Sequence, residues 1–380
     1  MKAYINGRIL NGDGRVAEGM ALVVQQGKIH SVSALQDVPS EAERIDVTGC
    51  VLTPGLIDVH THLGVHEEGI GKPGADFNET SDPITPSVRS LDGINPADEG
   101  FYNARKHGVT TVQVLPGSAN VIGGEMCTVK TEGTLTDEMA ITSPSGLKGA
   151  LGENPKRVYG DQGKKPVTRM GIAALMRETF VEADHYRNQL AQGQDVQRDL
   201  HMEHVVKVLN HEIPLRVHAH RADDIATALR IKDEFQIPMT LEHGTEAHKI
   251  ADRVAKSGVS VSVGPTMTPK SKVELSDKTW DTLRVLDELG VNIAITTDHP
   301  VISIENFVTS AATAVKHGLA EDIAWRAVTH QAAVHLGLGD RLGLLQAGRE
   351  ADFVIWDGHP LDYRTSVKET YIDGNCVYQA

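Results

Sequence analysis

From about residue 53 to residue 345 the sequence alternates short apolar runs with helical patterns, and this rhythm restricts the fold more than any other feature. "GLIDVH" is followed by "PADEGFYNARKHG" and then by "VTTVQVLP", with "SGLKGALG" further on. "IPLRVHAH" precedes "ADDIATALRIKDEF", "IPMTLEHG" precedes "EAHKIADRVAKSG", "VSVSVGP" precedes "SDKTWDTLRVLDELG", and "VNIAITTDHP" precedes "SIENFVTSAATAVKHG". Strands alternating with helices build parallel sheets, and about eight such units over this length fit a closed (β/α)8 TIM barrel of the α/β class. No Gly-x-Gly-x-x-Gly follows the first strand, which argues against a dinucleotide-binding open sheet.

The two ends of the chain have a different texture. Residues 1–52 contain short β segments, "KAYINGRIL", "ALVVQQGKIHSVS" and "ERIDVTGCVLTP", separated by turn formers. Residues 346–380 repeat that style in "ADFVIWDG" and "VKETYIDGNCVYQA". The expectation is a small β-sandwich domain formed by both ends, 1–52 and 346–380, flanking a barrel over 53–345.

Composition removes several classes of function. Net charge is −14 without a lysine or arginine cluster, and aromatic residues are 4%, so neither phosphate neutralisation nor base stacking is provided for. No apolar run approaches the roughly 20 residues that span a bilayer. The start lacks the apolar stretch of a secretory signal, and the three cysteines, Cys50, Cys127 and Cys376, are scattered, which together point to the cytoplasm. The expected partner is a small molecule, with no nucleic acid and no membrane, and the chain is expected to form a homo-oligomer.

Barrel chemistry gathers at the C-terminal ends of the strands. There the first strand offers His60 and His62, two positions apart and so on one side of it. The fourth carries Lys148 with Glu153 just beyond, the fifth ends in His218 and His220, the sixth in His243 and the eighth in Asp298. His66 and His248, just past strand ends, are candidate substrate contacts. "GSANVIGGE", residues 117–125, reads as a tight loop over the pocket, since it lacks a phosphate-loop lysine. Several histidines with a carboxylate form a ligand set for a borderline divalent metal, expected as zinc, with one or two ions. Such an ion activates water and polarises a carbonyl, and Asp298 suits the proton-accepting role.

These segments carry a family resemblance over nearly the whole chain. "PGLIDVHTH", "VHAH", "LEHG", "ITTDHP" and "DRLGLLQAGREADFVIWDG", in this order, resemble the amidohydrolase superfamily, in the branch of imidazolonepropionase-like and prolidase-like members. The resemblance implies that His60 and His62 bind a first metal, His218 and His243 the second or the open side, and that Asp298 is both ligand and general base. A carbamylated lysine or a glutamate bridges two metals in such proteins, a role open to Lys148, which is favoured, or to Glu153. His220, Arg221 and His66 are expected to face the substrate. The implied reaction is hydrolysis of an amide or cyclic amide bond in a small polar substrate: an N-acyl amino acid, a dipeptide or a lactam-like ring. A one-metal deaminase is second, because that branch carries a glutamate where Arg221 stands. A metal-free binding or assembly homologue is opposed by the intact ligand set.

Overall fold

In the computed structural model, which describes residues 1–380, eight strands follow one another around a nearly closed barrel. They are β1 (Leu56–Thr61), β2 (Val109–Val114), β3 (Ile122–Lys130), β4 (Ala140–Ala150), β5 (Leu215–Ala219), β6 (Met239–His243), β7 (Ser260–Val263) and β8 (Ile293–Ile295). Most are apolar and buried along their whole length, as strands covered by helices outside and side chains inside must be. The expected helices are present, among them Glu99–Lys106, Ala222–Phe235, Asp281–Glu288 and Phe307–Lys316. The first of these is capped by the Asp98 side chain, which accepts from the backbone N–H of Gly100.

One strand departs from the parallel pattern. β3 runs antiparallel to both β2 and β4, while the other pairs from β1 to β8 are parallel. The connections, residues 115–121 and 131–139, are shorter than the dozen or so residues that a parallel crossover needs, so the chain can only reverse. The segment 117–125 is therefore not a loop throughout, since its second half is strand. At Gly124 (φ +114°) a Cβ would lie 2.3 Å from the carbonyl oxygen of Val88, so the glycine lets β3 pass close to the neighbouring chain.

The barrel closes between β1 and the segment after β8. The buried carboxylate of Asp58 accepts from the hydroxyls of Thr296 and Thr297, each at 2.6 Å. The backbone adds His62 N–H to the carbonyl of His299 at 2.9 Å and Asp298 N–H to the carbonyl of His60 at 3.1 Å. These bonds place the end of β1 beside Asp298. Below them, Ile57, Val59 and Ala294 pack on Ala332, Ala333 and Leu336, at and just beyond the helix His330–His335.

Both chain ends enter two further sheets. One has four strands drawn from residues 2–46, and the other has six, joining Arg8–Leu10, Val16–Ala17 and Val51–Pro54 with Phe353–Trp356, Val367–Ile372 and Asn375–Gln379. Their shared core holds Tyr4, Phe353 and Tyr371, with the last two stacked at 4.3 Å. Lys130, on β3, is paired with Glu350 at 2.8 Å and with Asp352, which ties the barrel to this layer.

Candidate metal centre

Seven of the side chains singled out by position meet at the C-terminal mouth: His60, His62, Lys148, His218, His220, His243 and Asp298. Asp298 Oδ1 is 3.3 Å from His62 Nε2 and 3.5 Å from His60 Nε2. Lys148 Nζ is 3.3 Å from His60 Nε2. The ring of His243 lies 4.6 Å from that of His60 and 4.5 Å from that of His218. All of these side chains but Lys148 line a cavity of about 360 Å³.

Two features of the backbone aim these groups. His243 (φ 72°) and Asp298 (φ 54°) both adopt the left-handed conformation that non-glycine residues rarely take. In β6 this breaks the two-residue alternation, so that Glu242 and His243, adjacent in sequence, both reach inward. Such strain is held in place by surrounding structure and concentrates where geometry matters for function.

The imidazoles are oriented by their far nitrogens. His62 Nδ1 donates to the carbonyl of Leu115 at 2.8 Å and His243 Nδ1 to that of Gly264 at 2.7 Å. His60 Nδ1 faces Glu242 at 3.1 Å, and His220 Nδ1 lies 2.7 Å from the Thr245 hydroxyl. In each case the other nitrogen is left for the cavity, the arrangement of histidines that ligate metals. His218 is buried with no hydrogen-bond partner at either ring nitrogen. An orphaned buried imidazole among four others and a carboxylate is a donor set suited to a borderline divalent ion.

Electrostatics agree with that fit. Burial, with neighbouring cationic groups adding to it, pushes His60 down to about 3 and His218 and His220 well below the usual histidine range. They are neutral and keep their lone pairs. Burial lowers Lys148 to about 8, against the pull of Asp298 and Glu242. Burial raises Asp298, but the His62 hydrogen bond and the surrounding imidazoles outweigh it and hold the carboxyl below its ordinary range.

Comparison with known proteins gives the family of the chain. The sequence profile described as "Amidohydrolase family" matches residues 146–377. The chain belongs to the amidohydrolase family. It is similar to the crystal structure of an amidohydrolase from Thermotoga maritima at 42% identity, with a TM-score of 0.97 and full coverage of both chains. It is 29% identical over 406 residues to the amidohydrolase tasK of Hapsidospora irregularis, covering 96% of this chain but only 41% of that protein. An imidazolonepropionase of Cupriavidus metallidurans is 27% identical, with 88% of this chain and 84% of that one covered. A Xaa-Pro dipeptidase structure shares the fold at a TM-score of 0.64 and 19% identity.

Two expectations for this amidohydrolase need correction. Glu153 does not face the cavity: it starts the helix Glu153–Gly160, and its backbone N–H donates to Glu274 Oε2 at 2.9 Å, which leaves Lys148 as the inward group of the two. Arg221 turns outward onto Asp223, at 2.9 Å, because it lies beyond β5 where the chain has left the mouth. His220 lines the cavity as expected, and its ligand atom also lies with those of His218 and His243 within 4.8 Å of one another. His66 lines the cavity against Phe77, whereas His248 is outside it, bonded to Thr282 at 2.8 Å.

The rim carries cationic groups that the strand-end rule does not single out. Arg157, Lys272 and Lys278 line the cavity, and Asp298 is the one carboxylate that does. Lys272 and Lys278 belong to the segment after β7, "PKSKVELSDK", whose lysines were the available signal. Lys272 Nζ donates to Asn154 at 2.7 Å and Lys278 Nζ to the Thr268 hydroxyl at 2.7 Å, which anchors that segment over the mouth.

Proposed function

We propose that this amidohydrolase hydrolyses an amide or cyclic amide C–N bond in a small anionic substrate such as an N-acyl amino acid, a dipeptide or a lactam-like ring. The observation that carries the reading is Asp298, placed 3.3 and 3.5 Å from two imidazoles at the floor of a cavity with a cationic rim.

His60, His62, His218, His243 and Asp298, with His220 adjacent, are proposed to hold one or two divalent ions, zinc being the ion this donor set suits best. When bound, such an ion makes water nucleophilic near neutral pH and polarises the scissile carbonyl. Lys148 is proposed to react through its neutral Nζ with carbon dioxide, losing a proton and becoming an anionic ligand. That change suits a buried lysine, whose charge is costly at this depth. Asp298 takes the proton of the attacking water and returns it to the leaving nitrogen, so that it ends each cycle ionised. Arg157 at the rim offers its guanidinium to a substrate carboxylate. The buried neighbours exclude bulk water and hold the imidazoles in one tautomer each. Three unpaired cysteines suit a reducing cytoplasm as the site of action.

The test is turnover of an N-acyl amino acid, dipeptide and lactam panel by zinc-loaded protein, before and after chelation and after zinc is restored. Zinc-dependent release of a free amine from at least one class supports the reading. Turnover unaffected by complete metal removal would overturn it.

A further inference from the structure

In sequence Glu242 is only the middle of "LEHG", yet it sits at the centre of a buried network that the sequence does not announce. Its Oε2 accepts from the Ser262 hydroxyl at 2.6 Å and lies 3.1 Å from His60 Nδ1. Its Oε1 accepts from the Thr240 hydroxyl at 2.7 Å and lies 3.2 Å from His335 Nε2. Glu242, His60 and His335 are all essentially removed from solvent. His335 comes from the helix His330–His335 beneath the barrel, so the network links the barrel floor to its mouth.

We infer that Glu242 is a positioning residue for the metal centre: its carboxylate holds the proton of His60 on Nδ1 and so turns the Nε2 lone pair toward the ion. An ionised carboxylate can only accept, and with two hydroxyls and His335 already directed at it, the fourth group facing it must also donate. A neutral His60 with its proton on Nδ1 has its free pair on Nε2, the atom that lies 3.3 Å from Lys148 Nζ and 3.5 Å from Asp298. The backbone fixes the rest of the residue: His60 N–H donates to Asp58 at 3.2 Å and its carbonyl accepts from the Thr296 hydroxyl at 2.9 Å. Only the tautomer remained to be set, and Glu242 sets it. The competing role is structural, with Glu242 serving as counter-charge to buried Arg216, which itself bonds Thr240 and the carbonyl of His335.

The inference rests on the reading of His60 as a metal ligand, and the experiment separates the two. Chelator-stripped wild type, Glu242→Gln, His60→Ala and the double variant are titrated with Co²⁺, following visible absorption. Glu242→Gln is expected to weaken one site by about 10-fold to 100-fold, the usual cost of losing a group that orients a ligand. In the His60→Ala background the same change should add almost nothing, because the group it orients is gone. Wild-type Co²⁺ affinity in Glu242→Gln, or an equal further loss in the double variant, overturns the inference while leaving the metal site standing. Wild-type affinity in His60→Ala overturns both. Should Glu242→Gln not fold, ¹⁵N-histidine NMR of the metal-free wild type locates the proton directly: on Nδ1 of His60 if the inference holds, on Nε2 if it is wrong.

Discussion

Lys148 Nζ lies 3.3 Å from His60 Nε2, both residues almost wholly buried, so an amine and an imidazole face each other at hydrogen-bonding distance. Burial already brings the lysine down to about 8. The proposed carbamate at Lys148 would turn this amine into an anionic ligand shared with His60. Lys148→Ala is expected to reduce bound zinc to about one equivalent or fewer, whereas Glu153→Gln should retain the wild-type content. Metal analysis of both proteins purified in parallel decides; the opposite pattern returns the bridging role to Glu153.

Asp298→Asn keeps the shape of the side chain and removes its basicity. The expected result is an intact fold, most of the metal retained, and kcat lower by roughly 10²-fold to 10⁴-fold. Rate is measured per bound metal on one preparation. An unchanged rate per metal would show that Asp298 is not the base.

Arg157 is exposed at the rim and takes part in no ion pair, which leaves its donors for the substrate. Arg157→Ala should raise KM for a carboxylate-bearing substrate by roughly 3-fold to 10-fold with little change in kcat, as expected when binding is lost equally in ground and transition states. The amide of the same substrate should show no such difference between wild type and variant. Equal KM ratios for acid and amide would rule out a charge contact at this position.

Asp58 joins β1 to the segment after β8 by accepting from the Thr296 and Thr297 hydroxyls and the Thr297 N–H, and it also accepts from the His60 N–H within its own strand. Asp58→Ala strands these groups in the interior and should cost about 3 kcal/mol of stability. Urea unfolding of metal-free protein reads this without interference from ligand loss. A difference below about 0.5 kcal/mol, the range of ordinary surface changes, would mean that closure depends on the backbone bonds alone.

Cys376 is exposed, Cys50 is buried, and burial pushes the Cys127 thiol up to about 11. Because the thiolate is the reactive form, native protein should titrate one fast thiol with Ellman's reagent and three after denaturation. Cys376→Ser should abolish the fast phase. A fast thiol that survives this change would place Cys50 or Cys127 within reach of solvent.

Much of this protein follows from local pattern. The alternation of apolar runs and helical faces determined a barrel, and the rule that barrel chemistry sits at strand ends sufficed to pick out His60, His62, His218, His243 and Asp298, because each is attached to a strand whose direction is set by its own residues. The tertiary structure decided what depends on facing partners. β3 reverses because its two connections are too short to cross over, which is a property of loop length and not of the strand's own composition. Lys148 faces inward and Glu153 does not, because one lies within β4 and the other begins a helix outside it. Glu242 and His243 both reach the interior through a left-handed residue that no periodicity announces. Arg221 leaves the mouth while Arg157 and Lys272 enter it, since side chains on loops are aimed by whatever packs beneath them. Strand propensity and spacing are carried by neighbours in sequence, whereas the direction of a loop and the partner of a buried charge are carried by residues a hundred positions away.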